Sequence, residues 1–174
     1  KERLKERRAR LDVLSMTATP IPRTLHMSLS GIRSMSVIAT PPRDRLSILT
    51  RLTRISDGLV REAIHYELNR GGQVFFVHNR VQSISTRRAW LEALIPKASI
   101  GVAHGQMKIE DLEEVMQRFT EGAFNVLLCT TLIETGIDIP RANTMLIDDA
   151  HMFGVAQLYQ LRGRVGRSTE RARC

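Results

Sequence analysis

Short apolar runs alternate with amphipathic stretches from residue 47 to the end of the chain. An apolar run bounded by turn residues is typical of a buried strand, whereas apolar residues spaced three and four apart are typical of a helix. The pattern predicts strands at Ser47–Ile55, Gln73–His78, Ser99–His104, Asn125–Thr130 and Thr144–Ile147. It predicts helices at Asp57–Asn69, with Asp57 as N-cap and Gly71 past the end, and at Gln82–Leu94, Ile109–Glu121 and Gly154–Val165.

This alternation predicts an α/β fold. Strands and helices at such spacing form βαβ crossovers, which give a mostly parallel sheet with helices on both faces. Sheets of this kind place their ligand-contacting loops at the carboxyl ends of the strands. We therefore expect three stretches to emerge at one edge of the sheet: His78–Arg80, His104–Gln106 and Thr130–Asp138.

A stiff polar stretch, Thr40–Arg45, separates this pattern from a different one before it. Asp12–Ala18 and Ser34–Ala39 are strand-like, and prolines between them suit the first turn of a helix over Arg23–Ser30. We place a domain boundary at the polar stretch. Residues 1–40 are then the end of one domain, 41–46 a linker, and 47–174 a second domain.

The chain is strongly basic, with 26 Lys and Arg residues against 18 Asp and Glu and a net charge of +8. A basic surface of this size commonly indicates a polyanionic partner, although a solubilising surface is the alternative. Aromatic residues make up only 5% of the chain, which favours contacts to a nucleic-acid backbone over stacking on bases.

Cysteine and hydropathy patterns add two expectations. Cys129 and Cys174 occur without a histidine pattern, so the sequence predicts neither a disulfide nor a metal site. No apolar run approaches the roughly 20 residues that a membrane span requires, and the charged start lacks the apolar region of a signal peptide. We expect a cytoplasmic protein with no membrane contact.

Arginines and glycines are interleaved near the end of the chain. Gly163 and Gly166 stand in a segment predicted to be helical, where each costs about 1 kcal/mol relative to Ala. Arg164 and Arg167 could reach a γ-phosphate, because guanidinium groups make forked, charge-assisted bonds to phosphate oxygens. A surface helix with spare arginines explains the same residues equally well.

The loop after Cys129 carries a second group of candidates. Asp138 could bind a ribose hydroxyl or hold an arginine, or it could simply stabilise a turn. Thr130 and Thr131 could bind nucleic-acid phosphates, or they could cap a helical turn together with Glu134.

The motifs that hold Mg²⁺-nucleotide are missing from the sequence. It contains no GxxxxGK[ST] phosphate loop. Asp148-Asp149 ends a predicted strand, but without such a loop upstream a Mg²⁺-binding role is disfavoured. We therefore expect the chain alone to be inactive as an ATPase.

Four stretches resemble motifs of superfamily 2 helicases. Thr17-Ala18-Thr19 is similar to motif III, Val74–Arg80 to motif IV, Cys129–Pro140 to motif V and Gln160–Arg167 to motif VI. The combination of TATPIPRTL, HGQM, TTLIETGIDIP and FGVAQLYQLRGRVGR narrows the resemblance to two bacterial families. These are the transcription-repair coupling factors and the helicases that reverse forks and migrate Holliday junctions.

Two further stretches bear on the choice between these families. Leu29–Arg45 resembles the coupling factors more closely. Ala150-His151-Met152 departs from the pattern, which has an acidic residue before the Phe-Gly pair.

The resemblance implies an ATP-dependent double-stranded DNA translocase with two RecA-like domains. ATP and Mg²⁺ would be bound mainly by the first domain, of which residues 1–40 would be the last piece. In the family pattern Gly136 and Asp138 would contact the nucleotide sugar and Arg164 and Arg167 its phosphates. Gln160 would help to orient these arginines.

The same resemblance assigns residues to DNA and to coupling. DNA contacts would come from Thr130, Thr131, Arg23, Thr24, His104, Gln106 and Arg80. Coupling between nucleotide state and DNA contact would involve Thr17, Thr19 and Glu134.

In the full-length protein this motor would displace stalled RNA polymerase and couple transcription to DNA repair. RNA polymerase and nucleotide-excision-repair proteins would bind other domains. The alternatives are a branch-migration helicase with the same motor, an RNA helicase, and a non-catalytic DNA-binding or regulatory module with a helicase-like fold.

Overall fold

The computed structural model describes Ser36, Ile38 and residues 46–131, 139–168 and 170–174. The chain divides into two compact units, Lys1–Ala39 and Thr40–Cys174. The strand predicted at Asp12–Ala18 and the helix predicted at Arg23–Ser30 lie outside the described residues. So do the strand predicted at Ser34–Ala39, apart from Ser36 and Ile38, and the predicted linker, apart from Leu46. The division into 1–40, 41–46 and 47–174 therefore stays a prediction.

A parallel sheet forms the centre of the second unit. Its four strands within the described residues are β1 (Gln73–Val77), β2 (Ile100–Ala103), β3 (Val126–Cys129) and β4 (Ala142–Ile147). They lie in the order β2-β3-β1-β4, and every pair is parallel. Phe75 of β1 aligns with Leu127 of β3 on one side and Met145 of β4 on the other. The predicted α/β fold with a parallel sheet is confirmed.

Helices cover both faces of this sheet. The described part of the chain contains α1 (Asp57–Asn69), α2 (Ile84–Leu94), α3 (Ile109–Thr120) and α4 (Val155–Arg162), with 3-10 turns at Val81–Ser83 and Ala150–Met152. Buried residues of α1 and α2 share one apolar cluster, and those of α3 and α4 share another.

The strands alternate between the two clusters. Val74 and Phe76 point into the cluster of α1 and α2, whereas Phe75 and Val77 point into the cluster of α3 and α4. A strand buried on both faces reads as a continuous apolar run, because neither of its alternating sets of side chains meets solvent. This explains why the apolar run of β1 predicted a strand correctly.

The N-cap predicted for α1 is wrong by one residue. Ser56 is the N-cap, and its hydroxyl accepts a hydrogen bond from the backbone N–H of Leu59 at 3.4 Å. Asp57 lies inside the first turn, where its carboxylate accepts a bond from Nε1 of Trp90 at 3.2 Å. Gly71 follows the helix with φ 75°, the left-handed conformation that glycine adopts at low cost.

The strand predicted at Ser47–Ile55 is also wrong. Only Leu49 forms a bridge in this segment, to Arg173, which in turn bridges Thr144 of β4. The segment is held to residues 172–174 by backbone hydrogen bonds: Leu49 N–H donates to the carbonyl of Ala172 at 2.9 Å and Arg51 N–H to that of Cys174 at 2.8 Å. Residues 51–55 are exposed.

Helix α4 ends three residues earlier than predicted. Gly163 is its C-cap, and Gly166 lies beyond the helix with φ 77°. A side chain at Gly166 would be strained, and its Cβ would lie 3.1 Å from Cγ1 of Ile48. The left-handed turn packed against Ile48 therefore explains the glycine at position 166. Because Gly166 lies outside the helix, the free-energy cost of a glycine inside a helix does not apply to it.

A buried carboxylate fixes α1 to β4. The fully buried Glu67 accepts hydrogen bonds from the Thr144 hydroxyl and from Nη2 of Arg70, the latter at 2.6 Å. Burial by itself would lower the pKa of Arg70, but the hydrogen bond and the charge of Glu67, with the charge of Glu170, raise that pKa above its ordinary value. This pairing satisfies a carboxylate that has no access to water.

Candidate nucleotide and nucleic-acid site

Because all four strands are parallel, the residues that follow them lie along one edge of the sheet. His78–Arg80 follow β1, 104–106 follow β2, Thr130 and Thr131 follow β3, and Asp148 follows β4. The structure thus brings together the strand-end stretches that the sequence placed at one edge, as far as residue 131.

The side chains proposed to contact DNA differ in exposure along this edge. Arg80 and Gln106 are exposed, and His104 and Thr131 are partly buried. Thr130 is only 7% exposed, and its backbone N–H donates to the carbonyl of Ala103 at 3.1 Å. Thr131 therefore offers more surface to a ligand than Thr130 does.

The His104 ring occupies an unusual environment. Its Nδ1 is buried without a hydrogen-bond partner among the described residues, and the backbone N–H of His104 lies 3.4 Å from the sulfur of Met107.

The arginine-rich turn follows α4. Leu161 and Val165 are fully buried in the cluster beneath the sheet, and they fix the backbone on either side of Arg164. Gln160 and Arg164 are partly buried, and Arg167 is exposed. At the start of α4 the side chain of Gln157 accepts a bond from the N–H of Gly154 at 3.1 Å. The turn is thus held on a rigid element, which suits residues that position an anion.

Seven predicted site residues lie outside the described residues. They are Gly136, Asp138, Glu134, Arg23, Thr24, Thr17 and Thr19.

A buried polar network at the strand edge was not predicted from the sequence. Oδ2 of Asp148 lies 2.8 Å from Nδ1 of His78 and 2.8 Å from Nη2 of Arg87. Nε2 of His78 lies 2.8 Å from the hydroxyl of Ser83. These contacts make His78 a hydrogen-bonding structural group at the strand edge. No signal in the sequence joins His78 to Asp148, because 70 positions separate them.

These contacts bear on the ability of the strand edge to hold a metal ion. The carboxylate of Asp148 is 2% exposed and is engaged by protein donors. Within residues 46–131, 139–168 and 170–174, together with Ser36 and Ile38, no group of three or more His, Cys, Asp and Glu side chains could hold a metal ion. The described residues therefore do not fit a Mg²⁺ site.

An open cavity of about 640 Å³ lies beside the strand edge. It is bordered by residues 50–55, by α4 and by the turn Ala150–Met152, which is the segment that departs from the helicase pattern. Its apolar lining includes Leu52, which is 90% exposed. The guanidinium of Arg162 lies over the ring of Tyr159 at 4.6 Å within the same lining. Nothing in the sequence pattern predicted this cavity.

The two cysteines are unpaired, with Cys129 buried and Cys174 partly buried. Burial raises the pKa of the Cys129 thiol. In the described part of the chain, no helix is both long and apolar enough to cross a membrane.

The sequence matches the family described as helicase conserved C-terminal domain over residues 31–169. It is 62% identical over 172 residues to the transcription-repair-coupling factor of Myxococcus xanthus, which covers 99% of this chain and 14% of that protein. It is 54% identical over 169 residues to the transcription-repair-coupling factor of Staphylococcus haemolyticus strain JCSC1435, with 97% and 14% covered. The chain therefore spans about a seventh of the length of these relatives.

Solved structures show the same fold. RecG bound to a three-way DNA junction superposes with a TM-score of 0.77 at 37% identity, covering 95% of this chain and 24% of that chain. Dbp5 of S. cerevisiae bound to RNA and ADP BeF3 superposes with a TM-score of 0.65 at 15% identity, covering 90% and 42%, which shows the fold alone.

The relatives and the parallel sheet confirm the resemblance to the coupling factors and the RecA-like architecture. The family match covers most of the sequence, including the described motif stretches at the strand edge and on α4. The chain belongs to the helicase conserved C-terminal domain family.

Proposed function

We propose that this chain supplies the second motor domain of an ATP-dependent double-stranded DNA translocase. The observation that carries the proposal is the strand edge itself. There, exposed Arg80 and Gln106 lie along the same edge as Thr131, while α4 holds Arg164 and Arg167 on a separate rigid turn. Identity of 62% to a transcription-repair-coupling factor over nearly the whole chain supports the same function.

The arginine turn acts on a nucleotide that another domain binds. Arg164 and Arg167 reach the γ-phosphate when the two motor domains close, and Gln160 orients them. Forked guanidinium contacts stabilise the charge that develops on the transferred phosphoryl group. Gly136 and Asp138 complete the contact to the nucleotide sugar. Mg²⁺ neutralises phosphate charge when it is bound, and the first domain supplies its carboxylate ligands.

The strand edge acts on DNA. Arg80, Gln106, His104, Thr131 and Thr130 contact the backbone of one strand, with Arg23 and Thr24 as further contacts. Backbone contacts carry no sequence information, which suits an enzyme that moves along any duplex. The net charge of +8 supports such binding. Thr17, Thr19 and Glu134 couple the nucleotide state to these contacts.

In the full-length protein, movement along DNA displaces a stalled RNA polymerase and brings in nucleotide-excision-repair proteins, in the cytoplasm. Other parts of the protein bind these partners. The names of the relatives at 62% and 54% identity support this role over branch migration. The likeness to junction-bound RecG at 37% identity makes branch migration the second candidate.

The test is an ATPase assay of the full-length protein with linear duplex DNA, single-stranded DNA, RNA and a three-way junction. The same protein is then added to RNA polymerase stalled on a linear template. We expect linear duplex to stimulate turnover and the stalled polymerase to be released only when ATP is present.

Each of the alternatives gives a different result in this test. Stimulation by the junction without polymerase release would replace the proposal with the branch-migration function, and stimulation by RNA alone would indicate an RNA helicase. Absence of ATP hydrolysis in every condition would indicate a non-catalytic module.

A further inference from the structure

The polar network at the strand edge joins three parts of the chain through one carboxylate. Asp148 stands at the end of β4, His78 at the end of β1 and Arg87 on α2, and both His78 and Arg87 contact Oδ2 of Asp148 at 2.8 Å. Asp148 and His78 are 2% and 4% exposed. A buried carboxylate persists in such a place only when its partners satisfy it.

The bonds of the network form one consistent chain. Nδ1 of His78 pairs with the carboxylate of Asp148 and Nε2 with the hydroxyl of Ser83, each at 2.8 Å. Arg87 is fixed in addition by the ring of Trp90, which its guanidinium covers at 4.9 Å. The orientation of the His78 imidazole is therefore set by Asp148 at one ring nitrogen and by Ser83 at the other.

The same histidine closes a short loop. Asn79 and Arg80 are exposed and lie between His78 and the 3-10 turn Val81–Ser83. At the start of the loop, the backbone N–H of His78 donates to the carbonyl of Cys129 at 2.8 Å. At its far end, Ser83 is bound to the His78 ring. The loop that presents Arg80 is thus clamped at both ends by one residue, which Asp148 orients.

We propose that Asp148, His78 and Ser83 are positioning residues that hold the loop of Asn79 and Arg80 in the conformation that contacts DNA. This inference rests on the proposed DNA translocase function. The clamp restricts the backbone on both sides of Arg80 before DNA binds, so that little ordering is needed on binding. Loss of the clamp weakens DNA contact and leaves the nucleotide contacts of α4 in place.

The test compares Asp148→Asn with Asp149→Asn in the full-length protein. Both changes remove one negative charge from adjacent positions. Asp149 is exposed and has φ 50°, a conformation that Asn tolerates, so Asp149→Asn is a matched control. Ser83→Ala is a milder variant, because it removes only the hydroxyl that His78 binds. The readouts are the duplex concentration that gives half-maximal ATPase stimulation and the turnover without DNA.

We expect the half-maximal DNA concentration to rise about tenfold or more for Asp148→Asn and about threefold for Ser83→Ala, as misplacement of a binding group predicts. Turnover without DNA should stay within about twofold of wild type in Asp148→Asn and in Ser83→Ala. The control Asp149→Asn should match wild type in its half-maximal DNA concentration and in its turnover without DNA. A thermal melt confirms that each variant is folded.

Three outcomes would overturn the inference. If the half-maximal DNA concentration is unchanged in folded Asp148→Asn, the network stabilises the fold and does not position the loop for DNA. If Asp148→Asn loses turnover without DNA while its half-maximal DNA concentration is unchanged, Asp148 acts in the nucleotide site. If Asp148→Asn does not fold, an unchanged half-maximal DNA concentration in Ser83→Ala would refute the proposal that the network holds the loop of Asn79 and Arg80. Failure of the translocase proposal is separately visible, because wild type itself would then show no stimulation by duplex.

Discussion

At the scale of single residues, Gly72 shows how closely the backbone approaches Glu67. A Cβ at this position would lie 1.8 Å from Oε1 of Glu67 and 3.1 Å from the carbonyl oxygen of Arg141. The carboxylate of Glu67 cannot move aside freely, because Arg70 and Thr144 bind it and it is fully buried. The glycine is therefore required by space.

Gly72→Ala should lower the free energy of unfolding by about 1–3 kcal/mol, the usual cost of overpacking a buried site. Gly58→Ala is the matched control, since Gly58 stands in α1 and, within the described part of the chain, no atom lies within 4 Å of a Cβ placed there. It should leave stability unchanged or raise it by up to about 1 kcal/mol. Urea unfolding followed by fluorescence of Trp90, the single tryptophan, measures both. Equal midpoints for the two variants would contradict the steric argument.

Cys129 makes the stability depend on pH. Its thiol pKa is raised by burial, so the folded state keeps the proton at a pH where the unfolded thiol has lost it. This contribution is fully present below the ordinary thiol pKa of about 8.5 and is lost as pH rises above it. The stability advantage of wild type over Cys129→Ala should therefore shrink by up to about 1.4 kcal/mol per pH unit in that range.

Urea titrations of both proteins from pH 7 to pH 10.5 measure this difference. Cys174→Ala is a useful comparison. Burial raises the pKa of the Cys174 thiol, while the charge of Arg162 lowers that pKa and so opposes the shift. A stability difference between wild type and Cys129→Ala that stays constant with pH would show that the buried thiol does not contribute in this way.

At the scale of elements, a strand or helix end was predicted correctly where nearby residues in the sequence determine it. It was missed where contacts to residues distant in the sequence determine it. Strands β1 and β3 were predicted because burial on both faces leaves a largely continuous apolar run in each, whereas the start of β4 was missed because it includes the polar residue Asn143. The segment 47–55 was mispredicted because its bridge partner, Arg173, lies far away in sequence. The end of α4 was missed because the sequence pattern did not place its C-cap at Gly163, three residues before the left-handed turn at Gly166.

The start of α1 gives a test at this scale. Ser56→Ala removes the hydroxyl that accepts the N–H of Leu59, and should destabilise the protein by about 0.5–1 kcal/mol. Ser85→Ala, at an exposed position inside α2, should change stability by no more than about 0.5 kcal/mol. Thermal unfolding distinguishes them. A larger loss for Ser85→Ala than for Ser56→Ala would contradict the assignment of the cap.

At the scale of the whole molecule, the sequence was most informative about the family and least informative about tertiary contacts. The alternation of strand and helix patterns along the chain was enough to indicate the fold, and the described parts of the motif stretches lie at the strand edge and on or after α4. The His78–Asp148 pair and the cavity beside α4 arise from residues brought together only by folding. The chain spans 14% of the length of the relative from Myxococcus xanthus, and the proposed function assigns the nucleotide to another domain.

The central claim is that Arg164 and Arg167 act on the γ-phosphate of that nucleotide. The most direct measurement is the duplex-stimulated ATP turnover of full-length Arg164→Ala and Arg167→Ala, with Arg171→Ala as control. Arg171 is exposed, and its backbone carbonyl, which the substitution keeps, accepts a hydrogen bond from Arg70. We predict a loss of about 10³-fold or more in the first two variants, the usual effect of removing an arginine finger, and less than about twofold in the control. Near-normal turnover in both folded variants would contradict the claim.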